Sequence, residues 1–199
     1  MKYDAIFIVG PQGSGKGTQA KVLVERLGFF HWNMGEVLRA DPSWRFKDGR
    51  TVADIIDKGG LLTDDLLLEV FEAKIGTLPK GQGIIFDGIP RRIGQAQFLL
   101  KFLRDQGKKN FVTIFLDIPR DESIHRLVLR GELEHRADDT PEAIDFRLKQ
   151  YQEATVPMLD YLRTETIFVD IDGIPAVPNV AKSISDALQL DEYDLYVKS

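Results

Sequence analysis

The stretch Ile6-Phe-Ile-Val-Gly-Pro-Gln-Gly-Ser-Gly-Lys-Gly-Thr18 decides how the rest of the chain is read. An apolar run from Ile6 to Val9 breaks at Gly10, and Gly10, Gly13, Gly15 and Gly17 fall within eight residues. From Gln19 to Leu27 apolar residues return at helical spacing, with Val22, Leu23 and Leu27 on one face. A strand, a glycine-rich turn and a helix start, in that order, build a phosphate cradle. Glycine lets the backbone turn sharply and come close to an anion. The unpaired N–H groups of the first helical turn then point at that anion, and the helix dipole favours negative charge there. Lys16 adds a mobile cation able to reach the outer phosphates.

Gly10 to Lys16 fits the P-loop spacing Gly-x-x-x-x-Gly-Lys, although Gly17 stands where the strict pattern has Ser or Thr, and Thr18 comes one place later. The 199 residues are 43% apolar, which suffices for one sizeable core, so residues 1–199 read as a single domain with small appended lobes. The absence of cysteine excludes a disulfide framework and a thiolate metal site, and is compatible with a reducing compartment. The N-terminal residues lack the pattern of a signal peptide, and no window approaches the roughly 18 uncharged apolar residues of a membrane span. A cytoplasmic location away from membranes is expected. A net charge of −5 argues against a general nucleic-acid binder, which is more often basic. A polyphosphate ligand would instead require locally clustered arginine.

Along the chain, strands alternate with helices. Tyr3–Val9, Phe29–Trp32, Gly83–Asp87, Phe111–Leu116 and Thr166–Val169 read as strands. The helix after the glycine loop ends at Gly28, a natural C-cap. Asn33 caps a short helix to Ala40, Val52 to Lys58 forms another, and Thr63 or Asp64 caps a third, so residues 33–76 read as a small inserted helical lobe. Further helices are expected over Arg92–Asp105, over Asp121–Arg130 with Gly131 closing it, over Thr140–Arg163 with a kink at Pro157, and over Val177–Leu190. Asp191–Ser199 is an acidic tail. This alternation predicts a five-stranded parallel sheet covered by helices on both faces, a three-layer α/β fold. Ligands of such sheets sit at the carboxyl ends of the strands, where Gly10, Asp87 and Asp117 fall.

The chemistry is carried by one aspartate and a set of arginines. Asp87 ends an apolar strand, and an aspartate so placed beside a P-loop strand can hold Mg²⁺, directly or through its waters. Arg91 and Gln95 are four residues apart on a helix start, and so are Arg126 and Arg130 on a later helix. Arg136 lies in a short charged loop and Arg147 on the helix beyond. Taken singly, each arginine reads as a solvated charge. His31, His125 and His135 have no metal-ligand spacing and read as incidental.

The wider string Gly10-Pro-Gln-Gly-Ser-Gly-Lys-Gly-Thr-Gln19 resembles the P-loop of adenylate kinase and related nucleoside monophosphate kinases, and the likeness continues in order over roughly residues 5 to 180. It implies that Gly13, Ser14, Gly15, Lys16, Gly17 and Thr18 cradle the phosphates of ATP. Asn33-Met-Gly-Glu-Val-Leu-Arg39 is similar to the family's acceptor segment, so Met34 would face the acceptor base and Arg39 the acceptor phosphate. Gly60-Leu-Leu-Thr-Asp64 is similar to a stretch whose backbone faces that base, which implicates Gly60, Leu61 and Leu62. Asp87-Gly-Ile-Pro-Arg91 is similar to the family's Asp-Gly-Phe-Pro-Arg, placing Gly88, Arg91 and Gln95 on the acceptor. The remaining arginines match the family's donor-side set, with Arg126 near the donor adenine and Arg130, Arg136 and Arg147 on phosphates. Asp138 and Asp139 would orient those guanidiniums. Asp172-Gly-Ile-Pro175 resembles the loop that meets the donor adenine, and residues 131–138 a lid of the short form.

The resemblance therefore implies a monomeric, Mg²⁺-dependent kinase moving the ATP γ-phosphoryl group to AMP. Lys16, Arg91, Arg126, Arg136 and Arg147 would be its catalytic cations. A uridylate/cytidylate kinase of the same fold is the near alternative; Gln95 favours AMP, because those kinases usually carry Asn there. A P-loop nucleotide-binding regulatory protein is the alternative of another class. A GTPase would show Asn-Lys-x-Asp, and none of Asn33, Asn110 or Asn179 is followed by lysine.

Overall fold

The computed structural model describes residues 2–56, 63–74, 78, 81–134 and 139–190. Five strands form one sheet: β1 (Ala5–Val9), β2 (Phe30–Asn33), β3 (Ile84–Asp87), β4 (Phe111–Asp117) and β5 (Ile167–Asp172). All neighbouring pairs are parallel, in the order β2-β3-β1-β4-β5. Strand β1 is buried along its whole length, which its uninterrupted apolar run demands. Its side chains alternate between two cores. Ala5, Phe7 and Val9 join Phe86, Leu99, Leu103, Met158 and Leu162 on one face. Ile6 and Ile8 join Ala20, Leu23, Ile114 and Ile184 on the other. Phe7 lies opposite Phe86 in the register and stacks on it, with ring centroids 5.3 Å apart. Truncating either buried ring to alanine costs about 3–5 kcal/mol.

The helices follow the expected order. Helix α1 (Lys16–Leu27) ends in a left-handed Gly28, whose N–H donates to the Val24 carbonyl. Helix α2 (Met34–Arg39) is capped by the Asn33 side chain, which accepts from the Glu36 N–H. Helices α3 (Val52–Ile56) and α4 (Asp64–Lys74) follow between β2 and β3, and their Val52, Ile55, Leu66 and Val70 join the core that holds Phe7. Helix α5 (Ile93–Asp105) follows β3, and α6 (Arg120–Glu134) follows β4. Then come α7 (Pro141–Gln150), a π-helical turn (Tyr151–Thr155), α8 (Val156–Glu165) and, after β5, α9 (Val177–Leu188). Helix α1 packs with α9 and α5 with α8, on opposite sides of the sheet.

The structure departs from the expected elements in several places. Gly131 does not close α6, which runs on to Glu134. The glycine instead makes room for a neighbour: a Cβ there would lie 3.1 Å from the Asp139 Cβ and 3.2 Å from its carbonyl oxygen. Residues 131–134 of the expected lid are therefore helical, and 135–138 lie outside the described residues. The long helix widens just before Pro157, in the π turn that joins α7 to α8. Proline lacks an N–H, so the regular ladder is interrupted there, and the Val156 N–H reaches back to the Tyr151 carbonyl. Strand β5 extends to Asp172 instead of stopping at Val169, because β4 offers partners through Asp117.

Candidate active site

The carboxyl ends of β1 and β3 define the site. The register places Ile8 beside Asp87, and Asp87 beside Asn33. After Val9 the glycine loop turns into α1, and the loop's second glycine, Gly13, packs on α6, where a Cβ would lie 3.1 Å from the Ser123 carbonyl oxygen. Ser14 is buried, Gly15 is the left-handed N-cap of α1, and Gly17 and Thr18 lie in its first turn. The N–H groups of that turn have no earlier helical carbonyl to bond, which leaves them for an anion.

Lys16 curls back over this loop. Its Nζ donates to the Gly10 carbonyl at 2.9 Å and the Pro11 carbonyl at 2.6 Å, and lies 3.4 Å from the Ser14 hydroxyl. Burial lowers its ammonium to about 7. Asp87 opposes that shift, while Arg91, Arg147 and Arg130 add to it by repulsion. Arg91 is likewise lowered, to about 10, by burial first and then by Arg147 and Arg39, against the pull of Asp87. Residues scattered between positions 16 and 147 thus share one electrostatic field. Their mutual repulsion would be relieved by a multiply charged anion.

Each arginine is positioned by its own partners. Arg91 donates its backbone N–H to the Gln95 side-chain oxygen at 2.9 Å and its Nε–H to the Gly88 carbonyl at 2.7 Å. Gln95 itself is buried. Arg130 grips the fully buried Asp139 carboxylate with two bonds, of 2.7 and 2.8 Å, and Arg147 donates to the same carboxylate at 2.9 Å. Asp139 therefore orients two guanidiniums, as the sequence implied. Arg126 bonds Glu122 at 2.6 Å and donates to the carbonyls of Gly173 and Ile174 at 2.9 and 3.0 Å, beside Pro175 in the loop before α9. The strand order sets β5, which leads into that loop, and β2, which leads into the helix of Arg39, at opposite edges of the sheet. Met34 is buried in the core under α2, while Arg39 is exposed, with its guanidinium folded toward Gly35. Gly88 lies beside Arg91, whose Nη2 would sit 3.2 Å from a Cβ there. Arg136, Gly60, Leu61, Leu62 and Asp138 lie outside the described residues.

Asp87 is a buried carboxylate whose Oδ2 accepts from the Asn33 amide at 2.9 Å. The His31 Nε2 lies 3.8 Å from the same oxygen. The extra glycine of the loop faces it too: a Cβ on Gly17 would be 3.4 Å away. Among the described residues no cluster of three His, Asp or Glu side chains is present to hold a metal unaided. One carboxylate next to a phosphate cradle fits Mg²⁺, which keeps most of its water and is usually held by one or two carboxylates plus substrate phosphates. The β2–β3 register pairs Asn33, read from the sequence only as a helix cap, with Asp87, and His31 lies two residues earlier on the same strand; their sequence distance from Asp87 hides both contacts.

A family model for adenylate kinase matches residues 8–167. The adenylate kinase of Phocaeicola vulgatus is 37% identical over 184 residues, 92% of this chain and 97% of the relative. That of Bacteroides thetaiotaomicron is 37% identical over 183 residues, and that of Thermus thermophilus 34% over 184, with similar coverage. The chain belongs to the adenylate kinase family. The similarity extends over nearly the whole length of these relatives. Membership also accounts for an anion site built to take ATP. No helix among the described residues is long and apolar enough to cross a membrane.

Proposed function

We propose that the protein is an adenylate kinase that transfers the γ-phosphoryl group of ATP to AMP, giving two ADP. An oxygen of the AMP phosphate forms a bond to the γ-phosphorus as the bond from that phosphorus to the β,γ-bridging oxygen breaks. The observation that carries the reading is the shared field of Lys16, Arg91, Arg130 and Arg147 around one end of the glycine loop, with Asp87 beside it. Phosphoryl transfer asks little covalent chemistry of a protein. It asks for in-line positioning of two anionic substrates and for stabilisation of charge on the transferring oxygens.

In this reading the backbone of Gly13 to Thr18 holds the donor phosphates and Lys16 moves from the loop carbonyls onto them. Arg126 and the Gly173–Pro175 loop hold the donor adenine. Arg39 and Arg91 hold the acceptor phosphate, with Gln95, Met34, Gly88 and the 60–62 backbone toward the acceptor base. Arg130, Arg147 and Arg136 close over the phosphoryl group. Asp87 would hold Mg²⁺, directly or through its waters, and the ion would supply neutralising charge to the donor phosphates. The 33–76 lobe and the 131–138 lid close to exclude water. The protein acts as a monomer in the cytoplasm.

The test is turnover with ATP and each of AMP, UMP, CMP and GMP as acceptor. AMP should be the preferred acceptor by at least about tenfold, a discrimination available to a site that hydrogen-bonds the base. Preference for UMP or CMP would replace the reading with a pyrimidine kinase. ATP binding without transfer to any acceptor would replace it with a regulatory protein.

A further inference from the structure

Two cations of the site are carried by separate parts of the chain, and nothing in their own chemistry keeps them together. Arg91 sits in the connection after β3, and Arg147 on α7. Each guanidinium is repelled by the other, as the lowering of Arg91 by Arg147 shows. Without a phosphate between them, the backbones beneath must hold the spacing. The π turn does this at one named atom. Thr155, at its end, is buried, and its hydroxyl donates to the Arg91 carbonyl at 3.1 Å. The Arg91 peptide is thereby fixed on both sides, by Gln95 at its N–H and by Thr155 at its carbonyl.

The wide turn has a local cause and a specific consequence. Pro157 removes an N–H at the start of α8, and the Val156 N–H bonds the Tyr151 carbonyl five residues back. π turns of this kind recur at functional sites, where they re-aim a side chain. Here Tyr151 and Thr155 are the buried residues of the turn, and Gln152 and Glu153 between them are exposed. We propose that Thr155 is a positioning residue for phosphoryl transfer. Through the Arg91 carbonyl it sets the distance between Arg91 and Arg147, and with it the geometry offered to the transferring group. The proposal rests on the kinase reading for its effect on turnover, but not for the contact itself.

Thr155→Val keeps the shape and removes the hydroxyl; Thr155→Ser keeps the hydroxyl. In full-length protein, Thr155→Val should lower kcat about tenfold, since small misplacements around a transferring group are expensive in rate. Its affinity for MgATP, set at the glycine loop, should stay within about twofold of wild type. Thr155→Ser should restore kcat. In the ligand-free protein the ¹⁵N NMR signal of the Arg91 Nε–H, assigned by its loss in Arg91→Lys, should shift and exchange faster in Thr155→Val but not in Thr155→Ser. Wild-type kcat in Thr155→Val, with or without a lowered melting temperature, overturns the proposal, and so does an unchanged Arg91 signal. Should Thr155→Val fail to fold, Thr155→Cys, with its weaker donor in the same space, carries the same expectations. The NMR reading needs no turnover, so a protein that transfers nothing to AMP would refute the kinase reading and leave the contact tested.

Discussion

Raising the pH above neutrality should weaken nucleotide binding through Lys16. Burial and three neighbouring arginines bring its ammonium to about 7 in the ligand-free protein, against an ordinary value of 10.5. A bound polyphosphate supplies the compensating charge and returns the group toward its ordinary value. The complex therefore carries a proton that the free enzyme has lost, over the window from about 7 to about 10. By linkage, binding in that window takes up close to one proton. The dissociation constant for MgATP should rise roughly 25-fold between about pH 7.5 and about pH 9. The direction for folding is separate. The folded, ligand-free state binds fewer protons than the unfolded chain over the same window, so its own stability rises with pH there. Isothermal titration calorimetry in two buffers of different ionisation enthalpy, at about pH 8.5, measures the proton uptake directly. Lys16→Met should abolish both the uptake and the pH slope. A MgATP affinity flat across the window, with no proton uptake, would show that Lys16 is a fully charged lysine in the free protein, and that the arginines and the loop do not act on it as argued.

Lys16→Ala and Arg91→Ala should each lower kcat by more than about a hundredfold by removing charge stabilisation, with circular dichroism showing both folded. Asp87→Asn should raise the Mg²⁺ concentration needed for half-maximal turnover by at least about tenfold while leaving metal-free ATP binding intact, since the amide still fills the place but lacks the charge. Gly173→Ala should raise the KM for ATP with little change in that for AMP. A Cβ there would lie 2.9 Å from the Ile118 Cγ2, 3.1 Å from the Asp117 carbonyl oxygen and 3.3 Å from that of Ser14, forcing the adenine-side loop off the glycine loop. Steady-state kinetics with each substrate varied in turn distinguishes these outcomes.

The parts of the fold that rest on local rules were readable from the chain. A continuous apolar run before Gly10 becomes the fully buried β1, Gly28 becomes the left-handed cap of α1, and Asn33 becomes the cap of α2. Asp87 ends β3 as its apolar run suggested, and Arg91, Arg130 and Arg147, far apart in sequence, all act electrostatically on Lys16. What stayed hidden depends on residues far apart in sequence. Gly131 reads as a helix stop until Asp139 is seen to pack against it. Asn33 reads as a helix cap alone until the β2–β3 register pairs it with Asp87, whose carboxylate accepts from its side-chain amide. A proline in a long helix announces an interruption, but not that a π turn will take it up, nor that the turn will hand Thr155 to the Arg91 carbonyl. Arg91 and Gln95 read as neighbours on one helix face, but that spacing does not tell that the Gln95 side-chain oxygen accepts from the Arg91 N–H.

A bisubstrate mimic, two adenosines joined by five phosphates, asks whether donor and acceptor pockets lie end to end across this cluster of cations. Calorimetry should give one mimic per chain, bound at least about a hundredfold more tightly than ATP or AMP alone, because one molecule fills both pockets at once. Binding no tighter than that of ATP would mean that the guanidiniums do not converge on two nucleotides.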